Sequence, residues 1–187
     1  MLRGLILAVG ILACLSAANA AQMDGVSMPD HQTIYGTELR LNGIGLRTYS
    51  IFGIHIYVAA LYLEQRTDNS SSIISSRGLK LLVIRFLHDV TAEEARKAWQ
   101  EGFEQNCQLP CYLDPHDVQR FLADVPSVHR GDVTALLFTP KGVEITHAGR
   151  LVGRIGDPHF AEIILSTFIG PVPPTPRLKR ELLGLNE

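Results

Sequence analysis

The residues best suited to chemistry lie in one apolar stretch, Leu41–Leu63, which reads L-N-G-I-G-L-R-T-Y-S-I-F-G-I-H-I-Y-V-A-A-L-Y-L. Its polar interruptions are Arg47, His55 and Tyr57. A guanidinium binds anions, an imidazole can act as a general base, and a phenol donates a hydrogen bond. Each also has a structural alternative, since Arg47 could pair with a carboxylate such as Glu38 and the other two could be satisfied within a core. His55 and Tyr57 are two residues apart and therefore share a strand face unless a bulge intervenes.

A second candidate site is the sequence C-Q-L-P-C, which contains Cys107 and Cys111. Two thiols this close in an oxidising compartment most simply form one local disulfide, and the short loop means that it fixes local geometry more than global stability. A redox site is more usually C-x-x-C, and a zinc site needs more ligands than His116 alone would add. We predict the disulfide. The histidines are scattered without an H-x-x-x-H pair, so we predict no metal site and no cofactor.

The first twenty residues have the features of a secretory signal peptide. Arg3 supplies a positive charge, Leu5–Leu15 is apolar, and Ala18-Asn19-Ala20 fits an A-x-A cleavage site. The apolar stretch is too short for an ordinary transmembrane helix. A rival interpretation is a lipoprotein signal, because I-L-A-C would place a lipid on Cys14, but the remaining apolar segment would then be very short. We predict cleavage after Ala20 and a periplasmic or secreted protein.

The composition limits the classes of function. The chain has 187 residues, of which 46% are hydrophobic and 19% charged, and its formal net charge is −2. This length suffices for one domain with a substantial core, over residues 21–187. No basic excess or run of Lys and Arg suggests a nucleic-acid partner. No later segment is long and apolar enough to span a bilayer. The oligomeric state is not predicted by any feature.

The first half of the mature chain has the patterns of strands. Residues 33–41 alternate between apolar and polar, which is typical of a strand with one wet face. Asn42-Gly43 then fits a hairpin turn, and the stretch after it predicts one or two strands with a bend or bulge at Gly53. Residues 68–78 are Ser-rich and fit a connection or a short helix. Leu79–His88 predicts a second buried strand, with Arg85 among apolar neighbours.

Helices and a meander follow. Thr91 with Glu94 forms a capping box for a first helix, Asp114-Pro115 begins a second, and Gly156-Asp157-Pro158 begins a third that ends at Gly170. Between the last two, residues 132–155 alternate with a period of two and predict three antiparallel strands. A Pro-rich linker leads to a last helix over residues 177–183. These elements predict an α+β protein built on an antiparallel sheet.

Three motifs in this order resemble the bacterial chalcone isomerase-like family. They are L-N-G-I-G-L-R with Y-V-A-A-L-Y-L, then F-L-H-D-V-T-A-E-E-A, and finally F-I-G-P-V-P-P-T-P-R-L-K-R-E-L-L-G. The resemblance covers essentially all of residues 21–187. It implies an open-faced β-sandwich, in which a large antiparallel sheet carries helices packed on one face with a ligand cleft between them.

The resemblance also implies site residues by position. In chalcone isomerases an arginine follows the glycine-rich turn, where Arg47 stands, and a threonine lies on the next strand, where Tyr57 stands. Their helix carries a tyrosine and an asparagine that contact the substrate, and the corresponding positions here are Ala95 and Gly102. A threonine before the late I-G is kept as Thr167, although its hydroxyl equally fits a bond within its own helix.

This combination is more similar to the non-catalytic fatty-acid-binding relatives of the fold, in which an arginine and a tyrosine hold the ligand carboxylate. A guanidinium can bind a carboxylate bidentately while a phenol donates a further bond. We predict a non-catalytic protein that binds a fatty acid or similar amphipathic carboxylate through Arg47 and Tyr57, with Thr167 and His55 as further candidates. One alternative is an isomerase of the chalcone isomerase type, acting on an unknown enone or flavonoid-like substrate. Another is a cell-envelope interaction protein that uses the fold as a scaffold.

Overall fold

The centre of the molecule is an antiparallel sheet of seven strands, in which each strand pairs with its neighbours in sequence. The structure is a computed structural model and describes residues 20–50 and 52–185. Nearly all of the predicted signal peptide, including Cys14, lies outside the described residues. A separate hairpin of two strands precedes the large sheet. The strands are β1 (Ala20–Met23), β2 (Val26–Pro29), β3 (His31–Ile34), β4 (Thr37–Tyr49), β5 (Ile54–Leu63), β6 (Lys80–Phe86), β7 (Val133–Thr139), β8 (Gly142–His147) and β9 (Arg150–Ile155).

The helices begin where the sequence predicts. Thr91 and Glu94 form both halves of the capping box, and Asp114 and Asp157 each cap a helix whose first residue is a proline. Among the described residues, no helix is both long enough and apolar enough to cross a membrane. The helices are α1 (Ser70–Ser75), α2 (Ala92–Asn106), α3 (Pro115–Ala123), α4 (Pro158–Ile169) and α5 (Pro176–Leu182).

The central strands of the sheet are buried on both faces, and β5 shows this most clearly. Ala59, Leu61 and Leu63 pack into the core under the helices. The alternate residues Val58 and Tyr62 pack into a second core, which the β1–β2 hairpin covers with its apolar side chains. A strand with a core on each side has to be apolar throughout, which explains the unbroken run in the sequence. The predicted α+β open-faced sandwich, with helices on one face of a large antiparallel sheet, is confirmed.

The predicted turn at Asn42-Gly43 is wrong. Strand β4 continues through these residues, with Asn42 as an extra residue in its pairing with β5, and the hairpin turn lies earlier, at Tyr35-Gly36. Both turn residues have positive φ, 50° and 80°, as a two-residue hairpin requires. The residues predicted as one strand, 33–41, therefore belong to two strands.

Contacts with α5 explain why Asn42 and Gly43 lie in a strand. The Asn42 side chain donates to the carbonyl of Leu182 and accepts from the backbone N–H of Thr67, both at 2.9 Å. A Cβ on Gly43 would lie 2.1 Å from the carbonyl oxygen of Glu181. Gly43 is thus required for the close approach of α5 to the sheet, not for a turn.

Candidate ligand-binding site

Arg47 and Tyr57 are direct cross-strand partners in β4 and β5. Both lie on the face of the sheet that carries the helices, because Arg47 alternates with Leu46 of the opposite core and Tyr57 packs against the core under the helices. Tyr57 is in turn paired with Phe86 of β6, and the two rings meet edge to face at 5.9 Å between centroids. The two residues that the sequence singled out are therefore brought together.

Arg47 also holds the C-terminal linker. Its Nη1 atom donates to the carbonyl oxygen of Pro174 at 2.6 Å. A guanidinium carries several N–H donors, and this bond uses one of them. The arginine consequently connects β4 to the Pro-rich segment before α5 and still has the charge that an anion requires.

Burial raises the pKa of the Tyr57 hydroxyl far above its ordinary value, and the nearby charge of Arg47 opposes this only in part. The cause is the cost of creating a phenolate away from water. Tyr57 is thus a neutral phenol and can donate a hydrogen bond.

His55 points away from this pair. Arg47 pairs with Tyr57, but the next residue, Thr48, pairs with His55, so Ile56 is an extra residue in β5. This bulge turns His55 to the opposite face, where its Nδ1 atom lies 2.8 Å from the Oδ2 atom of Asp24. The expectation of a shared face with Tyr57 fails at the bulge.

Thr167 is buried in α4 and serves the packing of helices. Its hydroxyl donates to the carbonyl oxygen of Ile164 at 2.7 Å. Its methyl group faces Gly102, where an added Cβ would lie 3.1 Å away. Gly102 therefore allows α2 and α4 to approach each other closely. A cavity lies between the sheet and helices α2 and α3, and neither Thr167 nor His55 is among the described residues that line it.

A cavity of about 350 Å³ lies between the sheet and helices α2 and α3. This volume is within the range of small-molecule sites. Phe86 is part of its wall, whereas Arg47 and Tyr57 are not, so the pair adjoins the cavity across the ring of Phe86. Ala95 contributes a methyl group from α2. The other apolar lining residues are Ile84, Trp99, Phe121, Val125, Pro126, Val128, Leu136, Ile145, Val152 and Ile155, and charged residues at the cavity are Asp117, Arg120, Asp124, Arg154 and Asp157.

Two further polar side chains, Thr134 and His147, also line the cavity. They are cross-strand partners in β7 and β8, and the Oγ1 atom of Thr134 lies 3.0 Å from Nδ1 of His147. The His147 Nε2 atom lies 3.5 Å from Oδ2 of Asp132. Sequence reasoning missed this pair, although the alternation of the meander places both residues on the face of Leu136 and Ile145.

Cys107 and Cys111 form the predicted disulfide, with Cα atoms 5.1 Å apart. The nearby imidazole is that of His159, whose Nε2 atom lies 3.4 Å from the Cys111 sulfur, and not that of His116. Ligand atoms of the two cysteines and His159 lie within 4.8 Å of one another. Since each sulfur is bonded to the other, neither is the thiolate that metals bind.

Comparisons with known proteins match this architecture. The model of a family described as chalcone isomerase-like matches residues 20–184. A solved structure of a fatty-acid binding protein from Arabidopsis thaliana is similar, with a TM-score of 0.72 and 18% sequence identity over 88% of this chain and 96% of the plant chain. At this identity the likeness concerns the fold. A search of curated proteins gives no significant match.

Proposed function

Because this chain belongs to the chalcone isomerase-like family, we propose that it is a non-catalytic binding protein for a fatty acid or a similar amphipathic carboxylate. The observation that carries the proposal is the 350 Å³ cavity between sheet and helices, with its largely apolar wall. Each methylene buried there would contribute roughly 0.8 kcal/mol. The similar plant structure is, by its own description, that of a fatty-acid binding protein.

In this proposal, the carboxylate of the ligand binds to Arg47 and Tyr57. They lie side by side on adjacent strands, one as a cation and the other as a neutral phenol. Phe86 contacts Tyr57 and also lines the cavity, so a chain anchored at the pair would pass this ring to reach the apolar wall. Arg47 is only partly buried, which lowers the cost of keeping its charge.

We propose that the protein does not catalyse chalcone cyclisation, because two positions in α2 lack the side chains for it. Where the resemblance places a substrate-contacting tyrosine, Ala95 presents a methyl group to the cavity. Where it places an asparagine, Gly102 is packed against Thr167. Neither position offers a donor to stabilise the developing charge of a chalcone cyclisation.

Titration of the delipidated protein with a fatty acid and with its methyl ester tests the proposal. We expect the wild type to prefer the acid, and Arg47→Ala to bind the acid at least about tenfold more weakly because a charge-assisted bond is lost. The ester is the control for any disturbance at Pro174, since it lacks the charge and should bind both proteins alike. Equal affinity of the variant and the wild type for the acid would exclude the carboxylate role, and no binding of either ligand would exclude the function.

An isomerase of the chalcone isomerase type is the second candidate. The family description and the imidazole of His147 in the cavity wall favour it, since an imidazole can exchange a proton with a substrate. Saturable, stereoselective cyclisation of a chalcone by the purified protein would reverse the order of the two candidates.

Export of the mature chain from the cytoplasm is also part of the proposal. The leader-like sequence of residues 1–20 suggests it, and the disulfide between Cys107 and Cys111 supports it, because such bonds persist in oxidising compartments.

A further inference from the structure

Thr134 and His147 place a polar contact inside the cavity, two strands away from Tyr57. They are paired in register, face the cavity together, and join through the 3.0 Å contact between Oγ1 and Nδ1. The side chain of His147 is only 14% exposed. This contact uses only part of the bonding capacity of the threonine hydroxyl, since its oxygen has two lone pairs as well as a hydrogen.

Asp132 lies near the other nitrogen of the His147 ring. Its Oδ2 atom accepts from the backbone N–H of His129 at 2.8 Å and lies 3.5 Å from the Nε2 atom of His147. Either ring nitrogen of a histidine can carry a hydrogen, so the bond between Oγ1 and Nδ1 can run in either direction.

In both directions the threonine oxygen keeps at least one lone pair. It uses one lone pair when it accepts from Nδ1 and none when it donates to Nδ1. Thr134 can therefore accept a hydrogen bond from a hydroxyl group on a ligand in the cavity.

We infer that the ligand carries a hydroxyl group along its chain, which donates a hydrogen bond to Thr134. This rests on the proposed function and specifies its ligand class as a hydroxylated amphipathic carboxylate. The position follows from the register, because Tyr57 pairs with Phe86 while Thr134 pairs with Ile84 on the next strand. Two strand spacings across and two residues along give about 12 Å from Tyr57 to Thr134. An extended chain covers this distance with about ten carbons between carboxyl and hydroxyl.

The test compares three acids of equal chain length: the unsubstituted acid, the acid with a hydroxyl at about that position, and the corresponding keto acid. We expect the wild type to bind the hydroxy acid about tenfold more tightly than the other two, as one buried hydrogen bond allows. Thr134→Val keeps the β-branched shape and should lose the preference, whereas Thr134→Ser should keep it. Thr146→Val is the matched control, because Thr146 lies in the same hairpin on the other face and its hydroxyl bonds only to the Ala135 carbonyl, at 3.5 Å.

Each outcome decides between the two proposals. Equal binding of the hydroxy and unsubstituted acids by the wild type would overturn this inference and leave the proposed function standing. If Thr134→Val still preferred the hydroxy acid, this inference would also be overturned and the proposed function would stand. Tighter binding of the keto acid would mean that Thr134 donates, and would also overturn it. Binding of none of the three acids would overturn both proposals.

Discussion

Two polar pairs occupy the same face and the same end of the sheet, and they differ in charge and in surroundings. The Arg47–Tyr57 pair carries a positive charge, is partly exposed, and is tied to the C-terminal linker through Pro174. The Thr134–His147 pair is joined by its own 3.0 Å contact and lines the cavity directly. Phe86 lies between them.

The difference follows from the cost of burying charge. A guanidinium needs a partner or water, and accordingly Arg47 is only partly buried while Arg120 and Arg154 at the cavity are exposed. A hydroxyl bonded to an imidazole satisfies most of its own needs. This arrangement allows one cavity to receive a ligand with a charged end and a weakly polar middle. Three changes test whether the two regions form one site.

The largest effect is expected from filling the cavity, which the Thr134–His147 pair lines and which the Arg47–Tyr57 pair adjoins across Phe86. Ala95 lines the cavity from α2, so Ala95→Phe would displace several methylenes of a bound chain. We expect fatty-acid affinity to fall about a hundredfold by calorimetric titration. Ala98→Phe, at an exposed position of the same helix, is the control and should change the affinity by less than about twofold. Wild-type affinity in Ala95→Phe would place the ligand elsewhere and separate the two pairs.

A smaller effect is expected on the free energy of unfolding at high pH, and it concerns Tyr57 alone. Because burial raises the pKa of its hydroxyl in the folded protein, the stability that it contributes is present below the unfolded tyrosine pKa and is lost as pH rises above about 10. We expect the free energy of unfolding of the wild type to fall relative to Tyr57→Phe by up to about 1.4 kcal/mol per pH unit there. Urea denaturation over a pH series measures this difference.

Tyr112→Phe provides the matched control, since the Tyr112 side chain is 69% exposed and should give a curve parallel to the wild type. The raised pKa of Tyr62 is common to all three proteins and cancels in the comparison. Parallel curves for Tyr57→Phe and the wild type would contradict the burial of a neutral phenol beside Arg47.

The smallest effect is expected at His55. Its contact with Asp24 is on the opposite face of the sheet and its side chain is 46% exposed. His55→Ala should change fatty-acid affinity by less than about twofold and lower stability by less than about 1 kcal/mol, because exposed ion pairs contribute little. A tenfold loss of binding would show that the bulge at Ile56 does not remove His55 from the site.

Much of the fold could be predicted because its signals are local. The capping box of Thr91 and Glu94, the Asp-Pro starts of α3 and α4, and the period of two in β7–β9 depend on residues a few positions apart. The disulfide was predictable for the same reason, as Cys107 and Cys111 are separated by four positions. Arg47 and Tyr57 were indicated by the resemblance to a family, and their direct pairing depends on the register of β4 and β5.

The failures have causes outside the local sequence. Asn42-Gly43 has the composition of a turn, but α5 packs against these two residues. One carbonyl of α5 accepts a hydrogen bond from the Asn42 side chain, and another leaves no room for a side chain at Gly43. His55 alternates with Tyr57 in sequence, but one extra residue in β5 reverses its direction. Thr134 and His147 are ordinary meander residues in the sequence, and they come into contact only because β7 and β8 pair.

The sequence by itself determined most of the helices and strands and the antiparallel sheet, because periodicity and capping act over a few residues. The resemblance to a family indicated Arg47 and Tyr57 and the helices on one face. Only the tertiary structure decided which polar groups face the cavity. A single bulge or a single close contact changes the direction of a side chain, and neither leaves a signal in the pattern of apolar residues. His55 was thereby separated from the candidate site, and Thr134 and His147 were brought into it.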